Sequence, residues 1–417
     1  DGGTQPHVIV SGRDFFAAPR ISPDGRQLAW ITWDHPNMPW DGTELWLGRV
    51  AVRDGVLRVE DARRMAGGTD ESLMEPVWGR HGSLFVISDR TGWWNVHRVD
   101  GTDRLTNLDP ADREVGGPAW VFGAAHVASA SDGTVLAATV QDGQALLVTI
   151  PESGVPTEHA LPGTAVRALA IDGDRVVLIV TAPDRGPEVV EADLANPTAL
   201  RVLRPAADPE LGPGHVSRPR RLSFRSAGRT AHAWYYTPTN ADAQPPAGER
   251  PPLLIFVHGG PTSAADPAFD LGKQFWTTRG FAVVDLDYAG STGLGRDYRR
   301  LLDGQWGEAD LDDTCALADH LVAEGLADPA RLAVRGGSAG GFTVLAVLAR
   351  RDTFTAGVSY FGVSDLAALA RDTHKFESRY LDRLVGPLPD AVDVYAARSP
   401  LSHLEGFSCP LLILQGM

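Results

Sequence analysis

The stretch "AVRGGSAGG" at residues 333–341 sets one serine among small neighbours, and its reading decides the fold. Before it, "RLAVR" (Arg331–Arg335) has the branched and apolar content of a short strand. After it, "FTVLAVLAR" (Phe342–Arg350) is an apolar run long enough for a helix. Between the two, Gly336, Ser338 and Gly340 satisfy G-x-S-x-G. A strand that turns this sharply into a helix has no room for side chains beside the turn, and it pushes the serine hydroxyl outward. Ser338 is therefore the candidate nucleophile. The bare five-residue pattern leaves open a Gly-rich loop with no chemical role.

Outward from this turn, strands and helices alternate. "LLIFVHGG" (Leu253–Gly260), "FAVVDLDY" (Phe281–Tyr288), "AGVSYFG" (Ala356–Gly362) and "PLLILQG" (Pro410–Gly416) read as near-continuous apolar strands. Such strands belong to a largely parallel sheet covered on both faces. A helix is expected over Glu308–Gly325, with Leu311, Cys315, Ala318 and Val322 on one face and Asp310, Asp313 and Glu324 largely elsewhere. The first 220 or so residues have a different grammar of paired strands and Gly-bearing turns. Units starting at Ile21, Trp78, Ser131 and Ile171 carry turns such as Pro-Asp-Gly and Asp-Gly. Their spacing suits four-stranded propeller blades, four or five in number, with a β-sandwich as the competing reading. The division expected is 1–222 for a partial β-propeller and 223–417 for the α/β domain.

A chain of 417 residues has material for two or three domains. No run approaches eighteen apolar residues, so no membrane span is expected, and the start "DGGTQPHVIV" lacks the regions of a signal peptide. Cys315 and Cys409 provide neither a disulfide framework nor a metal cluster, which points to a reducing, cytoplasmic setting without metal or cofactor. A formal charge of −15 disfavours nucleic acid as partner. The basic stretch Ser217–Arg225 reads as a solvated linker.

A serine hydroxyl needs a base to take its proton, and the tetrahedral intermediate needs donors for its oxyanion. The backbone N–H of Ala339, next after the nucleophile, is the first candidate donor. The second is Gly260 in "HGGPTS" (His258–Ser263), where a side chain would crowd the substrate carbonyl. His258 invites a rival role as base, but it stands at the wrong place in the Ser…Asp…His order. A histidine orienting the loop is the reading preferred.

Taken together, "HGGPTS", "DLDYAGSTGLGRDYR" (Asp285–Arg299), "QWGEADLDD" (Gln305–Asp313) and "RLAVRGGSAGGF" (Arg331–Phe342) resemble the prolyl oligopeptidase family of serine peptidases. The likeness is closer to its acylaminoacyl-peptidase and dipeptidyl-aminopeptidase-like members. "DHPNMPWDGTELW" (Asp34–Trp46) and "SDRTGWWNVHRV" (Ser88–Val99) are similar to the propeller of that subgroup. The resemblance implies a seven-bladed propeller capping an α/β-hydrolase domain, and cleavage of short peptides or small amides. It also implies Ser338 as nucleophile, with Ala339 and Gly260 as the oxyanion hole. Asp287-Tyr288-Ala289-Gly290 departs from the family's frequent Asn-Tyr-Arg-Gly.

The family's aspartate and histidine would follow the strand of "PLLILQG". Within the sequence, Asp365 is the best substitute acid, while His374 and His403 precede the last strand. The expectation is that complementary segments or chains supply the first blades and the triad Asp and His; an oligomer is left open. Glu377 in "HKFESRYLDRLVG" (His374–Gly386) is a candidate to hold a substrate ammonium, with a solvated helix face as the alternative, and Asp41 is a further candidate. Besides a serine peptidase or amidase, the sequence leaves two readings: an esterase of the same fold, and a non-catalytic propeller binding module with a degenerate hydrolase domain.

Overall fold

In the computed structural model, residues 6–53, 55–207, 211–212 and 214–416 are described. The first five residues of "DGGTQPHVIV", on which the expectation about a signal peptide partly rests, lie outside them. The first half forms four antiparallel sheets, each a meander of four strands in chain order. They run from Phe15 to Gly67, from Leu73 to Asn107, from Val127 to Ala160 and from Ala165 to Arg204; a two-residue strand, Glu114–Val115, also pairs with the third. The first strands of successive sheets touch one another, so the sheets stand as blades around a common axis. Near-continuous burial of the inner strands fits the arrangement. In Val135–Gln141 and Gln144–Ile150, apolar side chains fill both faces, because each blade is covered by its neighbours.

The second half is one seven-stranded sheet with two antiparallel strands leading into a parallel core. In chain order the strands are β1 (Arg220–Ser226), β2 (Arg229–Tyr236), β3 (Leu253–Val257), β4 (Ala282–Asp287), β5 (Leu332–Gly337), β6 (Ala356–Tyr360) and β7 (Leu411–Leu414). Their spatial order is β1-β2-β4-β3-β5-β6-β7. Most of Ser217–Arg225 is thus strand rather than linker. Its alternation puts Leu222 and Phe224 against the core and Ser223 and Arg225 on the exposed face, a period of two that the charge of the segment disguises.

Four helices bear on the site: α1 (Leu271–Thr277), α2 (Gly295–Arg299), α3 (Ala309–Ala323) and α4 (Ala339–Arg350). Helix α4 is buried along eleven residues, as its nearly unbroken apolar sequence requires. One continuous apolar core crosses the two halves, joining Met38, Trp40, Phe85 and Trp94 of the blades to Leu302, Phe342 and Tyr380.

Helix α3 holds more than the sequence reading gives it. Asp310 and Asp313, off the face of Leu311, are fully buried as well. Asp313 receives Arg229 Nη2 at 2.7 Å on both oxygens and the Ala289 N–H at 2.7 Å. Asp310 receives the Gly307 N–H at 2.7 Å and Thr343 Oγ1, from α4, at 2.6 Å. Burial pushes the Asp310 carboxyl up to about 6, while these donors pull the other way. Each acid substitutes protein donors for the water it loses. Because removing one partner leaves the other buried and unpaired, Asp313→Ala should cost about 3–5 kcal/mol in urea unfolding. A loss under about 1 kcal/mol, the range of exposed pairs, would show that Arg229 finds other solvation.

Candidate active site

Ser338 sits between β5 and α4 with φ 54° and ψ −120°. This left-handed backbone is uncommon for a side chain other than glycine, and it persists only where the surroundings hold it. They do so from both sides. The Ser338 N–H donates to Tyr360 O at 3.0 Å, and its carbonyl accepts from the Phe342 N–H at 2.9 Å. The side chain is exposed.

The small neighbours have a steric cause. A Cβ on Gly340 would lie 2.1 Å from Val257 O, and one on Gly336 would lie 2.4 Å from Gly340 O. Helix α4 thus begins with its backbone directly against β3. Ala339 opens that helix, so its N–H has no acceptor in the preceding turn.

On the facing side runs the loop after β3. A Cβ on Gly259 would meet Gly337 O at 3.1 Å and Ser338 Cβ at 3.5 Å, so the loop touches the nucleophile turn. Gly260 has φ 121°, where a side chain would press within 2.7 Å of Thr262 N. Among the described residues its N–H donates to no acceptor. Residue 259 thus brings this loop against the Ser338 turn, and among the described residues the N–H groups of Ala339 and Gly260 donate to no acceptor.

His258 is held away from the serine. One ring nitrogen, Nδ1, lies 2.8 Å from Gly259 O, which can only accept, so Nδ1 carries the proton. Nε2 then accepts from Ser291 Oγ at 2.8 Å, and the ring stacks on Tyr288 at 4.2 Å. Burial lowers its pKa and keeps it neutral. These contacts favour the loop-orienting histidine over the base.

The candidate substitutes after Ser338 are engaged elsewhere. Asp365 caps a helix, accepting from the Ala367 and Ala368 N–H groups at 2.9 and 3.1 Å. His403 Nε2 bonds Ala397 O at 2.7 Å, and the exposed His374 stands 3.8 Å from Glu377. Glu377 is half-buried and accepts from Thr373 Oγ1 at 3.2 Å; no substrate ammonium is needed to satisfy that contact. Asp41 is tied to Arg383 at 3.5 Å and to the Met38 N–H. Burial, more than these partners, moves its carboxyl upward.

Sequence reasoning missed the supports. Tyr380 Oη receives the Thr262 N–H at 3.0 Å and lies 2.6 Å from Thr262 Oγ1. Tyr288 Oη donates toward His258 O and Pro261 O at 3.1 and 3.2 Å. Buried Asp287 accepts from the Ala265 N–H at 2.8 Å and from Arg221 Nη1 at 2.9 Å. The departure at Asp287 thus has a place: its carboxylate ties the end of the donor loop to β4. Among the described residues no group of three or more His, Cys, Asp or Glu side chains could hold a metal ion. Among the described residues no helix is long and apolar enough to cross a membrane.

Residues 267–417 match the prolyl oligopeptidase family model. Over 96% of its length the chain superposes on a puromycin hydrolase crystal structure, with 41% identity and a TM-score of 0.90, covering 60% of that chain. A puromycin-hydrolyzing peptidase of Mycobacterium tuberculosis aligns with 98% of the chain at 42% identity and a TM-score of 0.93, and 62% of that protein is covered. Dipeptidyl aminopeptidase BIII of Pseudoxanthomonas mexicana is 31% identical over 196 residues, 45% of this chain and 28% of that protein. The chain therefore spans about three-fifths of these solved relatives and under a third of the curated one.

Burial pushes the Asp287 carboxyl up to about 7, against the pull of Arg221 and the Ala265 N–H. A carboxyl held above its unfolded value stabilises the fold most below about pH 4, and that contribution is lost as pH rises through about 7. Asp287→Asn keeps an acceptor for the Ala265 N–H and removes the titration. The stability of the wild type relative to this variant should therefore fall between pH 4 and 8, by up to about 4 kcal/mol for three pKa units. Urea melts at both pH values check this, and a constant difference would mean that Asp287 stays ionised.

Proposed function

We propose that the chain, whose residues 267–417 match the prolyl oligopeptidase family model, belongs to that family and is the body of a serine hydrolase. It cleaves peptide or amide bonds of short peptides or small aminoacyl amides through an acyl-enzyme at Ser338. The observation that carries this reading is the strained, exposed serine, with the loop of Gly259 packed against its turn and the N–H groups of Ala339 and Gly260 without an acceptor among the described residues. Ser338 Oγ attacks the scissile carbonyl, and the two N–H groups receive the negative charge that develops on its oxygen. The serine proton passes to a base and then to the departing amine; water attacks the acyl-enzyme and frees the acid.

No histidine or carboxylate among the described residues hydrogen-bonds Ser338 Oγ, so the base and its orienting aspartate are assigned to segments or chains beyond residues 1–417. The propeller blades bond the loops at Thr262 and 290–299 that flank the serine turn, and a substrate without bulk fits beneath such a cap. Relatives named for puromycin hydrolysis support an amide-linked small molecule, and the relative named a dipeptidyl aminopeptidase supports a short peptide. A reducing, cytoplasmic setting is supported by the two free, half-buried cysteines.

In the full-length protein, Ser338→Ala should abolish turnover of an aminoacyl arylamide while leaving the urea midpoint unchanged. Retention of more than about one per cent of kcat would sink the nucleophile assignment, because loss of the nucleophile leaves only residual catalysis. Ester turnover without amide cleavage would favour an esterase. Failure of a fluorophosphonate to label Ser338 would favour a binding module.

Glu377 is the proposed anchor for a free α-ammonium. Its neighbours support this: Phe376 packs against Trp40 and Trp120 of the propeller, and Tyr380 holds the donor loop. Glu377→Gln should raise KM at least tenfold for a free aminoacyl arylamide and hardly change it for the N-acetylated one, since an ammonium buried without its partner is costly. Equal effects on the two substrates rule the role out.

A further inference from the structure

Thr262 stands two residues beyond the free N–H of Gly260, is nearly fully buried, and has every polar group engaged. Its N–H and hydroxyl are taken by Tyr380, which belongs to the hydrolase domain. Its carbonyl is taken by the propeller: Trp120 Nε1–H donates to Thr262 O at 2.7 Å. The two partners are 142 positions apart in the chain, so no local turn accounts for the bond. The intervening Pro261 has a fixed φ, which makes the peptide from Gly260 to Thr262 a short, stiff lever.

Trp120 is itself held in place. Its ring lies 4.4 Å from Trp40, 5.7 Å from Tyr380 and 6.0 Å from Phe376. Trp40 is buried and its carbonyl accepts from Arg299 Nη2 at 3.3 Å. The segment that follows Trp120 ends at His126, whose N–H and ring Nδ1 meet the two carboxylate oxygens of Glu75 at 2.7 and 2.6 Å. The indole N–H is thus a donor aimed from a braced blade loop at the loop of the oxyanion donor.

We propose that Trp120 is a positioning residue for the reaction: the propeller, through the indole N–H, fixes the Gly260 N–H where the oxyanion forms. This inference rests on the hydrolase reading of Ser338. It makes the propeller a part of the catalytic geometry as well as a screen on substrate size. Trp120 acts through Thr262 and is not itself a catalytic residue.

A donor whose position loosens should lose transition-state stabilisation more than substrate binding. In the full-length enzyme, Trp120→Phe keeps an aromatic ring and deletes the N–H. It should lower kcat for an aminoacyl arylamide about tenfold and leave KM within about twofold. Hydrogen exchange should accelerate at the hydrogen-bonded amides of Thr262 and Ser263 and stay unchanged in the blades. A second variant separates the bond from the packing: 3-benzothienylalanine at position 120 retains the bicyclic shape with sulfur in place of N–H, and should reproduce both effects with a wild-type melting temperature. Unchanged kcat and unchanged loop exchange in the benzothienyl variant would overturn the proposal. So would a fall in kcat that tracks exchange across the whole interface, since that is the signature of lost packing. Should the wild type hydrolyse neither amide nor ester, the hydrolase reading fails; the exchange measurement, which needs no turnover, still decides whether the indole N–H holds the loop.

Discussion

The contact between the start of α4 and the end of β3 is backbone against backbone, and the rest of the site depends on it. With 2.1 Å between a notional Cβ at position 340 and Val257 O, nothing larger than glycine lets the helix descend to the sheet there. That descent sets the angle at which Ser338 leaves β5, and it brings residues 258–260 beside the serine. The unfavourable φ of Ser338 is the local cost of the arrangement, and the hydrogen bond from its N–H to Tyr360 O helps hold it. A site built on rigid strand and helix ends can present two free N–H groups without their reorienting when charge appears.

The second constraint is how so many acids are buried beneath that site. Asp287, Asp310 and Asp313 all lie under it, and each accepts from one backbone N–H of a loop and from one side-chain donor. A carboxylate can receive several donors at once, which no apolar side chain can. These acids hold together loops that share little apolar surface. Asp313 binds the loop at Ala289, Asp310 joins α3 to the nucleophile helix, and Asp287 ties residue 265 to β4. Lys273 and Asp285, 2.6 Å apart, repeat the device beneath α1.

Much of this was legible in the sequence. The turn at Ser338 could be read because its glycines are adjacent to a recognisable strand and helix. The blades could be read because antiparallel meanders repeat their turns at regular intervals. The acids of α3 could not, because a helical period separates apolar from polar residues and carries no sign that a carboxylate has an arginine waiting from another strand. Ser217–Arg225 was read as linker for a related reason: charge masked an alternation in which Leu222 and Phe224 face inward. Glu377 was legible only as a carboxylate near the binding edge. Its contact with Thr373 and the aromatic side chains around it belong to tertiary structure.

The junction of the two halves was the least legible and is the most consequential. Asp89, in the second blade, receives both Arg296 and Arg299 of α2, at 2.6 and 2.5 Å, with its carboxylate almost wholly buried. Glu114, also buried, accepts from the Gly293 N–H at 2.6 Å. Charges this deep are costly when unpaired, so the halves lock in one register or separate with a large penalty. Both bonds seize the loop at 290–299, and Ser291 of that loop donates to His258. A path of direct contacts therefore runs from Asp89 and Glu114 through the 290–299 loop to the histidine that braces Gly259. It reaches the donor loop at the end opposite to Thr262. The 258–263 loop is held at one end by the bonds of His258 and at the other by Tyr380 and a propeller indole, so its geometry is a property of the assembled pair of domains.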